Sequence, residues 1–181
     1  MRKQLRLSGS GGQGVITAAI ILAEAAVSEG KEAVQSQSYG PEARGGASKS
    51  EVIIDDAPIY HPHVQVPDLV LAMTQKAADK YYHDLNPDGL LVLDEQLVPD
   101  VPPFAHVIRI PITKIAVEQC GRKLFANIVA LGALVRLTGI VSYDAIEAAV
   151  AHRVPPHTID ANKKALRAGY DAVTGYNGTI N

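Results

Sequence analysis

Short apolar runs separated by glycine, proline and polar turns fill the first two-thirds of the chain, and longer helical stretches fill the last third. The first run, Leu5 to Leu7, predicts a strand over about 3–8, followed by a glycine turn and a helix over about 14–28. That helix is apolar on nearly every side, from Val15 and Ile16 to Ala26 and Val27, so it is expected to be deeply buried. Further strands are predicted over about 32–37, at Ser50–Ile54, Leu69–Ala72, Leu90–Leu93 and Val107–Ile110. A helix over about 75–85 is expected between the strands at Leu69–Ala72 and Leu90–Leu93. From Lys114 onward, helices are expected near 114–121, 124–138, 143–152 and 159–173, with Ser142 and Thr158 as N-caps. Strands alternating with helices before a helical C-terminal region predict a single three-layer α/β domain with a mostly parallel sheet, over residues 1–173. Residues 174–181 read as a flexible tail.

Composition narrows the function classes. Of 181 residues, 47% are hydrophobic and 20% charged, which suits a globular core. A net charge of −2 gives no bulk attraction to nucleic acid or an anionic membrane surface. The longest apolar segment, Val15 to Val27, carries Thr17 and Glu24 and is too short to span a bilayer. The opening Met1-Arg2-Lys3-Gln4 reads as a strand lead-in with no signal peptide, so a cytoplasmic location is expected. Cys120 is the single cysteine, too few for a disulfide or for an iron–sulfur cluster ligated by this chain alone. It is expected to serve packing.

The candidate chemistry lies in the first fifty residues. Gly9, Gly11 and Gly14 form G-x-G-x-x-G between a strand and a helix, the setting in which backbone N–H groups approach a phosphate at a helix N-terminus. The competing reading is a tight strand-to-helix turn with no ligand. A dinucleotide site would also carry an acidic residue at the end of the second strand to hold a ribose. Here that strand reads Ala33-Val34-Gln35-Ser36-Gln37-Ser38, without a carboxylate. No Lys-Ser or Lys-Thr pair follows the last glycine, so this is not a nucleotide-hydrolase loop. The next loop, Tyr39-Gly40-Pro41-Glu42-Ala43-Arg44-Gly45-Gly46, offers Arg44 as a bidentate grip for a phosphate or carboxylate, or as a partner for Glu42.

Other polar groups point to structure. His61 and His63 make an H-x-H pair without a further ligand at matching spacing and read as exposed loop residues. Asp55 with Asp56, and Asp94 with Glu95, read as solvated turn carboxylates at strand ends. Asn127, on an otherwise apolar helix, either hydrogen-bonds a ligand or closes a backbone gap. No catalytic residue and no metal ligand set is assigned.

Taken together, Gly9-Ser10-Gly11-Gly12-Gln13-Gly14, the loop from Ser38 to Gly46, Pro67-Asp68-Leu69, Asn127 to Gly132 and Asn162 to Gly169 resemble the gamma subunit of the 2-oxoacid:ferredoxin oxidoreductases, a domain fused in single-chain members such as pyruvate:ferredoxin oxidoreductase. The resemblance covers residues 3–173. It implies an enzyme that oxidatively decarboxylates a 2-oxoacid to its acyl-coenzyme A and passes electrons to ferredoxin. Thiamine diphosphate, Mg and the iron–sulfur clusters would belong to partner subunits: alpha, beta and, where present, delta. This chain would lie near the coenzyme A site and be inactive alone. Carried over, Gly9, Gly11, Gly12, Gln13 and Gly14 would face the coenzyme A phosphates, with Tyr39, Arg44, Gly45 and Asn127 nearby. The form of the second loop resembles the 2-oxoglutarate and 2-oxoisovalerate members more than the pyruvate ones. A stand-alone Rossmann-like nucleotide-binding module is the alternative.

Overall fold

The computed structural model describes residues 1–38 and 46–175. The expectations for Tyr39, Arg44 and Gly45, and for most of the C-terminal tail, fall outside these residues. Six strands, β1 (Lys3–Ser10), β2 (Glu32–Gln37), β3 (Ala47–Asp55), β4 (Leu69–Ala72), β5 (Leu90–Asp94) and β6 (Val107–Ile110), form one sheet in the order β2-β3-β1-β4-β5-β6. The ladders β1–β4, β4–β5 and β5–β6 are parallel. β3 runs against both β1 and β2, so every strand except β3 points the same way. The mostly parallel sheet is as expected. The third strand is longer than the Ser50–Ile54 run that predicts it, because its polar first half, Ala47 to Lys49, pairs with Ser8 to Ser10 at the end of β1.

β4 and β5 are buried along their whole length, which is why their sequences are unbroken apolar runs. Alternate side chains go to opposite faces. Leu5, Leu7, Leu69, Leu71, Leu90 and Val92 meet the helices α1 (Val15–Ser28), α3 (Ile112–Cys120), α4 (Ala126–Thr138), α5 (Tyr143–Arg153) and α6 (Ile159–Ala172). Val70, Ala72, Leu91 and Leu93 meet the single helix α2 (Gln75–Tyr81) and the loop carrying Val98. The three layers are therefore unequal. α1 buries Ala18, Ile21, Leu22 and Ala25 as expected, yet Val27 stands 57% exposed at its outer side.

Helix α4 is buried on nearly every side between the sheet and α6. Two glycines allow α6 this close. A Cβ on Gly169 would lie 1.8 Å from the Val129 carbonyl oxygen, and one on Gly132 would lie 2.1 Å from that of Leu166. Backbone therefore packs on backbone, with no flexible side chain to yield. Among the N-caps, Ser142 accepts a hydrogen bond from the Ala145 N–H at 3.1 Å, as expected. Thr158 does not cap α6: its hydroxyl donates back to the Pro155 carbonyl instead.

The helix expected over 75–85 stops at Tyr81 because of Arg6. Its side chain is 4% exposed beneath α2. Nη1 donates to the Tyr81 carbonyl at 3.1 Å, taking up an end carbonyl that a longer helix would use. The guanidinium also pairs with Asp84 and, through Nε at 2.7 Å, with Glu51. Burial pushes the Asp84 carboxyl up, but its hydrogen bonds to Arg6 and the charge of Arg6 more than offset this and hold it below the usual carboxylate range.

Arg6→Met should cost about 3 kcal/mol, since it leaves Glu51 and the Tyr81 carbonyl short of a buried donor. Calorimetry should show a melting temperature lower by roughly 6–12 °C for a chain of this size. The sign of the pH effect follows from Asp84. Its contribution is present above the unfolded carboxyl value, about 3.9, and is lost as pH falls through the lower folded value. Acid titrations should show this loss in the native chain and not in Arg6→Met. A variant as stable as the parent would remove Arg6 from the fold's support.

Candidate functional site

Parallel strands bring their carboxyl ends to one edge, where open α/β sheets bind ligands. The segments that follow four of these strands line a common cavity of about 750 Å³ there. β1 contributes Ser10, Gly12 and Gln13, β4 contributes Thr74, and β5 and β6 contribute Leu97 and Thr113. The segment between α3 and α4 and the first residue of α4 add Arg122, Lys123, Leu124 and Ala126 to the lining. The two ends of the segment outside the described residues, Ser38 and Gly46, lie at the same edge, since Ala47 pairs with Ser10.

The glycine turn is built from the inside. Gln13 Oε1 accepts the Ser10 N–H at 2.8 Å and its Nε2 donates to the Met73 carbonyl at 3.2 Å, joining the exits of β1 and β4. Gly9 makes room for this: a Cβ there would sit 2.4 Å from Gln13 Oε1. Gly14 begins α1 with φ 73°, and a Cβ would meet Asn127 Nδ2 at 2.6 Å. Gly12 differs from both. It is exposed at the apex, and nothing lies within 4 Å of where its Cβ would be. Among the described residues its N–H has no partner.

Asn127 takes the second of the roles open to it, closing a backbone gap. Nδ2 donates to the Gly14 carbonyl at 3.2 Å and Oδ1 accepts the Ile128 N–H at 2.9 Å. The starts of α1 and α4 are thereby joined at the cavity. Neither start carries a side-chain cap or an acidic residue in its first turn. The start of α1 therefore presents N–H groups without a side-chain acceptor among the described residues, whereas at α4 Asn127 Oδ1 takes up the Ile128 N–H.

Charge reinforces this. Arg122 and Lys123 are exposed on the cavity wall, and neither forms an ion pair or side-chain hydrogen bond with a described residue. Asp94 is fully buried, which corrects the expectation of a solvated turn residue. It accepts from the Gln96 and Leu97 N–H groups and from the Thr113 N–H and hydroxyl, the last at 2.6 Å. It thus pins α3 to the end of β5 and shapes the wall that carries Thr113. Arg122 and Lys123, the start of α1 and the open glycine apex thus bring positive potential to one cavity.

Of the residues expected from sequence, Gly12 and Gln13 line the cavity, while Gly9, Gly11, Gly14 and Asn127 lie in or against the same turn without lining it. Arg122, Lys123 and Thr113 were not anticipated. The available signal was a pair of adjacent cations in the turn just before an apolar helix that starts with Asn127. Cys120 is half-buried near the end of α3, and burial pushes its thiol pKa up, which suits packing. His61 and His63 are exposed on the β3–β4 loop. Among the described residues, no three His, Cys, Asp or Glu side chains converge, and no helix is long and apolar enough to cross a membrane.

Known proteins are similar to this chain in sequence and fold over most of its length. The family described as pyruvate ferredoxin/flavodoxin oxidoreductase matches residues 4–172. The 2-oxoglutarate synthase subunit KorC of Methanocaldococcus jannaschii is 51% identical over 175 residues, 94% of each chain. The solved gamma subunit of a keto/oxoacid ferredoxin oxidoreductase from Geobacter sulfurreducens is 48% identical and superposes with a TM-score of 0.90 over 97% of this chain and 98% of that one. The pyruvate oxidoreductase subunit PORC of Thermotoga maritima is 31% identical, with a TM-score of 0.80 over 94% and 96% of the two chains. A family match over nearly the full length, with relatives of half-identical sequence and the same fold, makes this chain a member of the pyruvate ferredoxin/flavodoxin oxidoreductase family, of the gamma-subunit type.

Proposed function

We propose that this gamma-type subunit serves an oxidoreductase that decarboxylates 2-oxoglutarate, and that it forms part of the coenzyme A site. The observation that carries the second half is the cavity at the glycine turn, where Arg122 and Lys123 share the lining with the open apex at Gly12, next to the start of α1. An anionic, phosphate-bearing ligand fits that donor set, and the missing ribose carboxylate after β2 argues against a dinucleotide. Among the described lining residues there is no general base or nucleophile positioned for attack on a 2-oxoacid. Thiamine diphosphate, Mg and the iron–sulfur clusters then belong to alpha, beta and delta partners, which pass electrons to ferredoxin in the cytoplasm. Support for 2-oxoglutarate comes from sequence. Identity is 37–51% to 2-oxoglutarate synthase subunits, against 31–34% to pyruvate synthase and pyruvate oxidoreductase subunits.

Coenzyme A, when bound, supplies the thiol that accepts the acyl group. The chain's own part is to hold it: Gly12 leaves the apex open, Gln13 and Asn127 keep the turn in shape, and the cations take negative charge.

Purified from its source, the complex should turn over 2-oxoglutarate with a kcat/KM at least tenfold above that for pyruvate, and the reverse order would overturn the substrate assignment. Gly12→Val in that complex should cut thioester formation at least tenfold while leaving the coenzyme A-independent attack on the 2-oxoacid near the parent rate. The side chain would occupy the space a phosphate needs. Its stability should change by less than about 0.5 kcal/mol, as nothing lies near the added atoms. Gly9→Val should instead cost about 2–3 kcal/mol, because it displaces Gln13 from both of its backbone partners. Equal loss of both half-reactions in Gly12→Val would make the turn a subunit contact.

A further inference from the structure

We propose that the open edge of the sheet at β2 is a contact between two copies of this chain, which pair their β2 strands antiparallel about a two-fold axis at Val34. The inference does not rest on the coenzyme A reading, since no residue of β2 lines that cavity.

The two edges of the sheet are guarded unequally. An edge strand offers a row of backbone N–H and C=O groups, and folded chains usually block it with charge, proline, a bulge or a short length. β6, at one edge, has four residues, carries the exposed Arg109 and ends directly before Pro111. β2, at the other, has six residues in unbroken register with β3. It holds no proline, lysine or arginine, and its one charge, Glu32, stands at the first position. The Ser38 N–H donates to the Lys49 carbonyl at 3.3 Å, which sets the phase of the ladder. Glu32, Val34 and Ser36 therefore turn their backbone groups to β3, and Ala33 and Gln35 turn theirs outward. The Gln35 side chain is held on its own sheet, with Nε2 donating to Ser50 Oγ at 2.7 Å, and leaves the edge open.

A second copy completes this edge with the same residues, as a two-fold contact requires. Ala33 of each copy falls opposite Gln35 of the other, and each such pair exchanges both of its outward backbone hydrogen bonds. Between them Val34 meets Val34 of the second copy at the closest spacing an antiparallel pair offers, about 4.5 Å between Cα atoms. Val34 lacks such a neighbour at home: it is half-buried and joins neither hydrophobic cluster of its own chain. A β-branched residue facing its like across two strands is a favourable pair. On the opposite face of β2 a groove of about 690 Å³ runs beside the edge, lined in large part by Ala23, Val27, Ala33, Ala145 and Ala148. Stable complexes bury about 800 Å² on each side, more than one short strand offers. The groove widens the contact along the same edge, with Val27 at 57% exposure as apolar surface to cover.

The test is analytical ultracentrifugation of the purified full chain over a range of concentrations, where the parent should reach twice the mass of one chain. Val34→Glu and Val34→Lys should each raise the dimer dissociation constant at least about tenfold, because two like charges then face each other across the axis. An equimolar mixture of these two variants should regain the dimer, a rescue that loss of structure would not produce. Gln35→Pro should leave a monomer whose melting temperature stays close to the parent's, since the N–H it removes points outward and is not used by β3. A mixture that stays monomeric overturns the two-fold at Val34. A dimer that survives all three substitutions forms elsewhere on the chain, and the proposal falls. A parent that is monomeric at every concentration also overturns it; if Gln35→Pro then releases the chain from the purified complex, the edge takes a strand of another subunit instead of a second copy.

Discussion

The side-chain amide of Asn127 ties the first residues of α4 to the turn that starts α1, and the cavity exists because of that tie. Nδ2 reaches the Gly14 carbonyl, and the left-handed backbone of Gly14 leaves the space in which the amide sits. An added Cβ would strike it at 2.6 Å. The position of Asn127 is in turn set from farther away. α4 is clamped against the sheet by α6, and the clamp works because Gly132 and Gly169 bring backbone into contact with backbone. The glycines of the turn and those of the two C-terminal helices therefore belong to one chain of contacts. Loosening α6 would let α4 drift, and the two helix starts would no longer point at the same volume.

The sheet was legible in the sequence where burial is two-sided. Leu69–Ala72 and Leu90–Asp94 are continuous apolar runs because both faces of β4 and β5 are covered. The glycine turn was legible because the strand, the spacing and the helix occur together. What was hidden is polar and non-local. Arg6 reads as a routine exposed residue of a strand, yet it is buried by partners 45 and 78 positions away. Asp94 reads as a turn carboxylate because polarity is visible in a sequence and the donors that satisfy it are not. Arg122 and Lys123 lie more than a hundred residues from the glycine turn, and only the parallel topology returns them to it.

The position of β3 had no local signature either, and it changes the comparison with dinucleotide-binding folds. In those folds the second strand lies beside the first, so its terminal carboxylate reaches the ribose of a ligand on the glycine turn. Here β3 runs between β1 and β2. The end of β2 is thereby displaced by a further strand spacing, about 4.8 Å. A carboxylate there would be out of register with such a ligand even if the sequence supplied one. The missing acidic residue and the inserted strand are two aspects of one departure, and the charge for ligand recognition comes instead from the far side of the cavity, after α3.

That shift separates the chain's overall charge from its local one. A net charge of −2 predicts no affinity for anions, yet the cavity gathers two cations and the start of α1, while the Asp94 side chain is buried and turned to its own N–H and hydroxyl donors. At physiological ionic strength charges act over about 8 Å, so the local set governs what binds. The tie from Asn127 to Gly14 fixes where that local set sits, because it holds the starts of α1 and α4 in one place relative to each other. Play in either helix start would spread the cations and the open apex apart, and their summed potential falls off within about one Debye length.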